Sequence, residues 1–398
     1  MKRTVDRELV AIITILGLGS LAMAIPQPIL SLYLTDIGIT PTILGLIYSM
    51  AMVGMIIGEP FLGWVADKVG LKIPLSVGTF ICGLAVLCFI FNEDILPIFL
   101  ISLFWGITRS AIFGPGRGYI GVNAPPMKRA TFMAFISVAM ACSKTFGALP
   151  GGFIADTLGY QWVFIGSCGI SCLGGMVVIL GLKKTKQMKS QPVAVSSPTS
   201  IVPPSQGRVK ILRPLVSQGA VAFLYFIGFG ILLSFLPLLA NQVAGISASG
   251  VGVIFTISGL VTMVLSIPMA ILADRKGKKI FMIFGLVMLS LAMAGLAFAE
   301  DFLWLVIFVI LNSIGMAMLE PAALGLISSL VPSERLSTVM GIYGGIFENT
   351  GIVAGSALAG FVWSFLGPRA TFLIGASTGI LGAITCLVFV RENKSQAL

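Results

Sequence analysis

The stretch that decides the fold is "GWVADKVGLK" at residues 63–72, which interrupts two long apolar segments. Nearly the same string returns as "AILADRKGKK" at residues 270–279, an offset of 207 residues. Two further pairs keep almost this spacing: "PPMKRATFM" at 125–133 with "VPSERLSTV" at 331–339, and "GFIADTLGYQWVF" at 152–164 with "GFVWSFLGPRATF" at 360–372. One offset along the whole chain predicts a parallel duplication of a single unit.

The composition indicates that the duplicated unit lies in a lipid bilayer. Of the 398 residues, 57% are hydrophobic and only 10% are charged, and the mean hydropathy is +1.05. Soluble domains carry about 25% charged residues. A chain this apolar cannot hide its side chains inside a water-soluble fold, so the bilayer is its solvent.

Twelve apolar segments are long enough to cross a membrane, since a helical crossing needs about 20 residues. They fall near 9–34, 41–65, 73–92, 96–121, 130–153, 160–182, 214–239, 247–272, 280–299, 302–330, 336–361 and 370–390. The sequence therefore predicts an all-α membrane protein with two six-helix bundles, residues 1–182 and 214–398. A polar linker at 183–213, rich in Lys, Ser and Pro, joins them.

The basic residues are distributed very unevenly between the two sides of the predicted bundle. Of the 25 Lys and Arg residues, 21 lie on the side of both termini and the linker, three lie within spans, and only Arg369 lies on the other side. The positive-inside rule then predicts a multi-pass protein of the cell membrane with both termini in the cytoplasm. The same distribution explains the net charge of +10 without any nucleic-acid partner.

The repeated turn carries a motif of the form G-x-x-x-D-[RK]-x-G-[RK]-[RK]. The first copy matches at Gly63, Asp67, Lys68, Gly70 and Lys72, and the second copy matches at Asp274, Arg275, Gly277 and Lys279. The departures are Leu71, at a basic position, and Ala270, at the first glycine. With these residues the chain resembles the major facilitator superfamily over its whole length.

That resemblance implies a twelve-helix major facilitator fold that transports by alternating access. It also implies a role for the motif. Asp67 is expected to contact the other bundle near residues 336–338, where the start of a helix carries partial positive charge. This contact would latch the cytoplasmic side in one state and break in the other, and Asp274 is a second candidate for the same role.

The fifth span carries part of a second family motif, G-x-x-x-G-P-x-x-G-G. Gly147, Gly151 and Gly152 match it, and Pro150 is displaced by two positions. This partial match resembles the twelve-helix drug:proton antiporter branch, which implies proton-coupled export of drug-like compounds. The first span departs from that branch, because it has no carboxylate before Asp36.

Six ionisable residues fall inside the predicted spans, where each charge costs roughly 2.5–3.5 kcal/mol on insertion scales. The proton-coupling candidates are Glu348, Glu320 and Glu59, and the substrate-cavity candidates are Arg109, Arg117 and Lys144. Glu348 is the leading proton carrier, because it lies about 12 residues, or ~18 Å, into its helix and therefore near the middle of the bilayer. The alternative for all six is structural ion pairing between the two bundles.

The sequence thus favours proton-coupled export of an amphipathic or drug-like small molecule. One alternative is transport of an anionic metabolite bound by Arg109, Arg117 and Lys144, and another is a non-transporting membrane receptor or scaffold. The expected partners are a small-molecule substrate, protons and the lipid bilayer, and the expected state is a monomer. There is no histidine, and the six cysteines lack metal-ligand spacing, so neither cofactor, metal site nor enzymatic activity is expected.

Overall fold

The computed structural model describes residues 14–123, 129–181, 204–330 and 343–390, which are almost entirely helical. The first six helices are α1 (Thr14–Asp36), α2 (Pro41–Val69), α3 (Lys72–Cys88), α4 (Ile95–Asn123), α5 (Arg129–Leu158) and α6 (Tyr160–Gly181). The next four are α7 (Pro204–Gln242), α8 (Ala248–Lys276), α9 (Lys278–Leu296) and α10 (Phe302–Leu330). Helix α7 begins ten residues before the predicted start of its span at 214.

The last described segment contains two helices. A π-helical turn, Tyr343–Glu348, leads into a helical run, Asn349–Phe389, which Gly367 interrupts with φ 83° and ψ 179°. We call residues 343–366 α11 and residues 368–389 α12. A glycine is needed at the break because this φ lies in the left-handed region that other residues avoid.

The helix lengths and surfaces agree with the predicted crossings. Within the described residues, ten helical segments are long and apolar enough to span a membrane, and the 47-residue segment Tyr343–Phe389 supplies two of the predicted spans because of its break. Helix α5, with 30 residues, supplies the remaining one. Large apolar side chains such as Leu180 and Phe365 point outward with 86% and 80% exposure, as expected of a protein surrounded by lipid.

The duplication is visible in the backbone itself. The described residues contain six glycines with positive φ, and these form three pairs separated by 207 or 208 residues. The pairs are Gly38 with Gly245, Gly70 with Gly277, and Gly159 with Gly367. Each half therefore turns its chain at the same places, which confirms the repeat found in the sequence. We call the face with the turns at Gly70 and Gly277 the motif face, and the face with the other four glycines the outer face.

Within the described residues, hydrogen bonds join the two halves at three helix pairs near the outer face. Between α1 and α7, Ser31 Oγ donates to the Ser234 carbonyl over 3.0 Å. Between α2 and α11, Ser49 Oγ donates to the Val353 carbonyl over 2.9 Å. Between α5 and α8, the carboxylate of Asp156 accepts hydrogen bonds from the start of α8. Each pair joins one helix of the first half to one of the second, so the outer ends of the halves are held together.

Candidate functional site

The π-helical turn at the start of α11 lies against carboxylates from both halves. A Cβ placed on Gly345 would lie 3.2 Å from Oε2 of Glu59, which belongs to α2, and a Cβ on Gly344 would lie 3.5 Å from Oε2 of Glu348. Two adjacent glycines thus leave the space into which these two side chains reach. Turns of this kind are rare and occur frequently at functional sites.

The second half also places Glu320 close to this turn. Tyr225 Oη on α7 donates to Glu320 Oε1 on α10 over 3.3 Å. Both Glu320 and Glu348 act electrostatically on the hydroxyls of Tyr225 and of Tyr343, the first residue of the π-helical turn. The two tyrosines are buried. The structure therefore brings the two leading carboxylate candidates into one polar cluster within the second half.

Arg109 lies in the first half and interacts with the third carboxylate candidate. On α4 its guanidinium carbon lies 5.7 Å from the centre of the Trp105 ring. The ionisable groups around it are Cys82 on α3 and Glu59 and Tyr48 on α2, and of these only Glu59 is a carboxylate. Because Glu59 also touches the π-helical turn of α11, Arg109 is linked through it to the contact between the halves.

Three predicted site side chains lie outside the described residues. Arg117 belongs to α4, Lys144 to α5 and Asp67 to α2, but only their backbones are described. The segment 336–338, the predicted partner of Asp67, is also outside the description. The cavity role of Arg117 and Lys144 and the latch role of Asp67 therefore stay predictions.

The duplicated motif forms the same tight turn in both halves. Gly70 lies between α2 and α3 with φ 86°, and Gly277 lies between α8 and α9 with φ 107°. These values explain why the motif has a glycine at this position. By contrast, a Cβ on Gly63 would meet no atom within 4 Å, which agrees with the presence of Ala270 in the second copy.

The last lysine of each motif copy reaches the final helix of its own half. Lys72 Nζ donates to the Ile179 carbonyl over 2.6 Å, at the end of α6. Lys279 Nζ donates to the Leu387 carbonyl over 2.8 Å, at the end of α12. Carbonyls in the last turn of a helix have no partner within the helix, so a lysine is well suited to bind them.

The other charged residues of the motif differ between the copies. In the first copy, Lys68 Nζ lies 3.7 Å from the centre of the Trp64 ring. In the second copy, Asp274 forms an ion pair of 3.3 Å with Lys278, which also donates to the Gly325 carbonyl of α10. Arg275 is exposed in the last turn of α8.

The glycines of the fifth-span motif lie where α5 crosses two other helices. Cβ atoms on Gly147 and Gly151 would collide with Ala24 and with the carbonyl of Ile25, at the bend of α1. A Cβ on Gly152 would collide with the Ala248 carbonyl of α8. Small residues let membrane helices approach this closely. Pro150 is exposed within the same helix.

Several residues of these contacts were not predicted from the sequence. Tyr225 and Tyr343 gave no distinct signal, because a tyrosine within an apolar span is also typical of lipid-facing or packed positions. Asp156 lies just beyond the predicted fifth span, at 130–153, and its position alone does not indicate a partner. Its alignment with Ser364 at an offset of 208 was visible in the sequence, but its partners on α8 were not.

Comparison with known proteins identifies the family. The sequence model described as Major Facilitator Superfamily matches residues 9–243 and 219–397. The chain belongs to the major facilitator superfamily. Its members are membrane transporters of small molecules, so the protein is a transporter of this family and the expected fold class is confirmed.

Among its relatives, this superfamily member is 22% identical to an uncharacterized MFS-type transporter of Methanocaldococcus jannaschii, with 89% of each chain covered. It is 27% identical to the quinolone resistance protein NorA of Staphylococcus aureus over 43% of this chain and 44% of NorA. It is 30% identical to the multi-drug resistance efflux pump PmrA of Streptococcus pneumoniae over 43% of each chain.

Solved structures share the fold at low sequence identity. The nucleoside transporter NupG superposes with a TM-score of 0.81 at 14% identity, covering 96% of this chain and all of NupG. A D-xylose-proton symporter superposes with a TM-score of 0.76 at 18% identity, covering 97% and 98% of the two chains. These likenesses concern the architecture alone.

Proposed function

We propose that this transporter exports an amphipathic, drug-like compound in exchange for protons, by alternating access between its two halves. The observation that carries the proposal is that Glu59, from the first half, and Glu348, from the second, both reach the π-helical turn, Glu59 at Gly345 and Glu348 at Gly344. Titratable side chains at the contact between moving halves give protons a means to influence that contact.

In this proposal the polar cluster of the second half carries the proton. Glu348 and Glu320 both act electrostatically on Tyr225 and Tyr343, so the two carboxylates share one cluster and repel one another whenever both are ionised. Uptake of one proton removes that repulsion and changes how the π-helical turn packs against Glu59. Release of the proton restores the repulsion and the original packing of the turn. Tyr225 donates its hydroxyl hydrogen to Glu320 over 3.3 Å and so holds this carboxylate within the cluster. Glu348, near the middle of its predicted span, is the group that we propose exchanges the proton.

The relatives support the substrate class. NorA is named for quinolone resistance and PmrA for multi-drug efflux, and each aligns with less than half of this chain. Export of an amphipathic compound is therefore our proposal for this protein. We further propose that it acts as a monomer in the cell membrane, with residues 1–182 and 214–398 as its two bundles and with both termini and the linker 183–213 in the cytoplasm.

The alternative of an anionic metabolite rests on Arg109, Arg117 and Lys144. Among these, the described side chain of Arg109 interacts with Glu59, whose negative charge offsets its own. A guanidinium that is already balanced by a carboxylate attracts an anionic substrate less strongly. This observation favours export of an uncharged or cationic compound over transport of an anionic metabolite.

The test is transport into proteoliposomes with ethidium, an amphipathic cation, as the probe. Vesicles that are acidic inside are expected to accumulate ethidium, whereas vesicles at equal pH are not. Glu348→Gln is expected to abolish accumulation driven by the pH gradient. A wild-type protein that moves ethidium with no response to the gradient would contradict proton coupling, and one that moves no amphipathic cation would contradict the export proposal.

The matched control is a carboxylate at the membrane surface. Glu300 accepts a 2.8 Å ion pair from Arg369 at the outer face, and both side chains are mostly exposed. Glu300→Gln removes the same charge without touching the polar cluster, so it is expected to leave accumulation within about twofold of wild type, as for an exposed ion pair. An equal loss in both variants would mean that Glu348 has no special role.

A further inference from the structure

Asp156 joins the outer end of α5 to the beginning of α8, in the other half. One carboxylate oxygen accepts from the Ala248 amide over 3.1 Å, and the other accepts from the Ser249 amide over 2.8 Å. These are the first two residues of α8, after the N-cap Ser247. The first amides of a helix have no partner within it and carry partial positive charge, so a carboxylate there is stabilising.

The two helices approach so closely around Asp156 that only glycine fits on either side. A Cβ on Gly152 would collide with the Ala248 carbonyl, and a Cβ on Gly252 would lie 2.6 Å from the Ala148 carbonyl. This backbone contact fixes the carboxylate opposite the start of α8. The hydrogen bonds therefore form only while the outer ends of α5 and α8 stay together.

The repeat supplies a natural comparison at the other side of the outer face. The residue equivalent to Asp156 is Ser364 on α11, which lies 208 positions later, and Thr42 near the start of α2 donates to its hydroxyl over 2.8 Å. Gly360 and Gly45 reproduce the close approach, because Cβ atoms there would meet the carbonyls of Pro41 and Ser356. The same crossing thus exists twice, once with a carboxylate and once with a neutral hydroxyl.

The start of α2 also lacks what Asp156 provides to α8. Its N-cap, Thr40, makes no side-chain capping hydrogen bond, and Pro41 at the first helical position has no amide hydrogen to donate. Position 41 corresponds to Ala248 in the second half. Only one of the two equivalent crossings therefore contains a charged group bonded to a helix start of the partner half.

We infer that Asp156 is a charged latch of the outer face: its two hydrogen bonds to the start of α8 stabilise the state in which the outer ends of the halves are closed. This inference rests on the proposed alternating-access mechanism, in which α5 and α8 must separate at the outer face. On separation, Asp156 loses the partial positive charge of the helix start. At the crossing of α2 and α11, the hydrogen bonds found between described residues of the outer face are all neutral, so opening there breaks no contact with a charge.

The stabilisation of the closed state by Asp156 is expected to be the same at all pH values near neutrality. Asp156 lies beyond the outer end of the predicted span 130–153. Partial burial raises its pKa, but hydrogen bonds from Ser249, Ser247 and the Ala248 amide outweigh burial and lower the pKa overall. Its stabilisation of the closed state is therefore present above the ordinary aspartate pKa of ~3.9 and is lost only as pH falls through the lowered value.

The groups around the latch do not change that expectation. From α8 it faces Ser247, Ala248 and Ser249, none of which titrates near neutral pH. From α6 it faces Tyr160, whose hydroxyl interacts electrostatically with Asp156 and with Asp36 at the end of α1. A tyrosine has an ordinary pKa near 10 and stays neutral at pH 5–8.

The test measures the distance between the outer ends of the halves by double electron–electron resonance. Spin labels are placed at Asp94→Cys and Gln242→Cys, both exposed at the outer face, after the six native cysteines have been replaced. Asp156→Asn is expected to raise the ratio of open to closed outer face about tenfold, which corresponds to about 1.4 kcal/mol. Ser364→Ala, the matched control, is expected to change it by less than about threefold.

A second variant tests the latch from the side of its donors. Ala248→Pro removes one amide hydrogen and leaves Asp156 intact. The helix is expected to tolerate this change, because proline is favoured at the first helical position and Ser247 already has the extended ψ of 168° that precedes a proline. It is also expected to shift the ratio toward the open state, at both pH 7 and pH 5. An unchanged ratio in Asp156→Asn and Ala248→Pro, or an equal shift in Ser364→Ala, would overturn the inference. This measurement needs neither substrate nor a pH gradient, so its failure is distinct from a failure of the proposed export.

Discussion

In the second half of the protein Asp274 is paired with Lys278, four residues later in the same turn, at 3.3 Å. In the first half the equivalent residues are Asp67 and Leu71, and Leu71 is fully buried and uncharged. The backbone of the two turns is the same, as the positive φ of Gly70 and Gly277 shows. The second copy therefore neutralises its aspartate with a lysine four residues later. The first copy cannot do this, because it has leucine at that position.

This difference indicates which copy of the motif is suited to act between the halves. Lys278 holds Asp274 within the second half, and the same ammonium group donates to the Gly325 carbonyl of α10. The first copy has no cation at the equivalent position, because Leu71 stands there. We therefore propose that the latch role on the motif face belongs to the first copy, although the second copy matches the family motif more closely.

The same contrast extends to the ionisable residues of the spans. The first half contains Arg109 and Lys144, whereas the second contains Glu320 and Glu348. Glu59 is the exception, and it is the one that touches the π-helical turn of the partner half. Duplication thus preserved the helix positions while the chemistry of the two halves diverged.

The largest expected loss of transport comes from removing a carboxylate of the second half, which contains Glu320 and Glu348. Glu348→Gln is expected to reduce pH-driven ethidium accumulation at least about 100-fold, because loss of an exchangeable proton removes the coupling itself. Glu59→Gln, in the first half, is expected to reduce ethidium accumulation about tenfold, because Glu59 then loses its interaction with Arg109. Flux measurements in proteoliposomes at matched protein content decide the order, and a reversed order would place the proton carrier in the first half.

The next effect separates the two motif copies. Asp67→Asn is expected to reduce transport about tenfold, since a hydrogen bond to a charged group contributes ~1.5–3 kcal/mol and 1.4 kcal/mol is tenfold. Asp274→Asn is expected to reduce it less than about threefold, because its exposed ion pair contributes ~1 kcal/mol or less. Transport at equal expression is the measurement. Equal losses in the two variants would show that Leu71 does not distinguish the copies.

The next variant tests whether Arg109 binds substrate or controls the protonation of a nearby carboxylate. Arg109→Gln is expected to leave ethidium affinity at fixed pH within about twofold and to shift the pH dependence of transport, because Glu59 loses its cationic neighbour. Binding titrations and pH profiles of flux provide the two readouts. Weakened binding of an anionic solute with unchanged coupling would instead support the anionic-metabolite alternative.

The smallest effect concerns the feature that the two halves share. Lys72→Met and Lys279→Met each remove one hydrogen bond to the end of the last helix of a half, and each is expected to lower stability by ~1 kcal/mol. The two variants are expected to behave alike in thermal unfolding, with transport retained. A marked loss of transport in only one of them would mean that these lysines also belong to the functional difference between the halves.

Much of this architecture was predictable from the sequence. The span lengths, the offset of about 207 residues and the composition predicted a duplicated helical membrane protein, because each of these depends on local chemistry along the chain. The glycines of the turns and of α5 were also identifiable, since positive φ and close helix approach both require a residue without a side chain. The candidate carboxylates stood out because charges are rare within apolar spans.

What only the tertiary structure decided is which of these residues meet. Gln, Tyr and Ser side chains in a span look alike in sequence whether they face lipid, a neighbour or the other half, so the roles of Tyr225 and Tyr343 were not predicted. The contact of Glu59 with α11 and the bonds of Asp156 to α8 each join residues more than 90 positions apart. Such contacts depend on how the two halves are docked, and the hydrophobic pattern that places each helix in the membrane does not specify that docking.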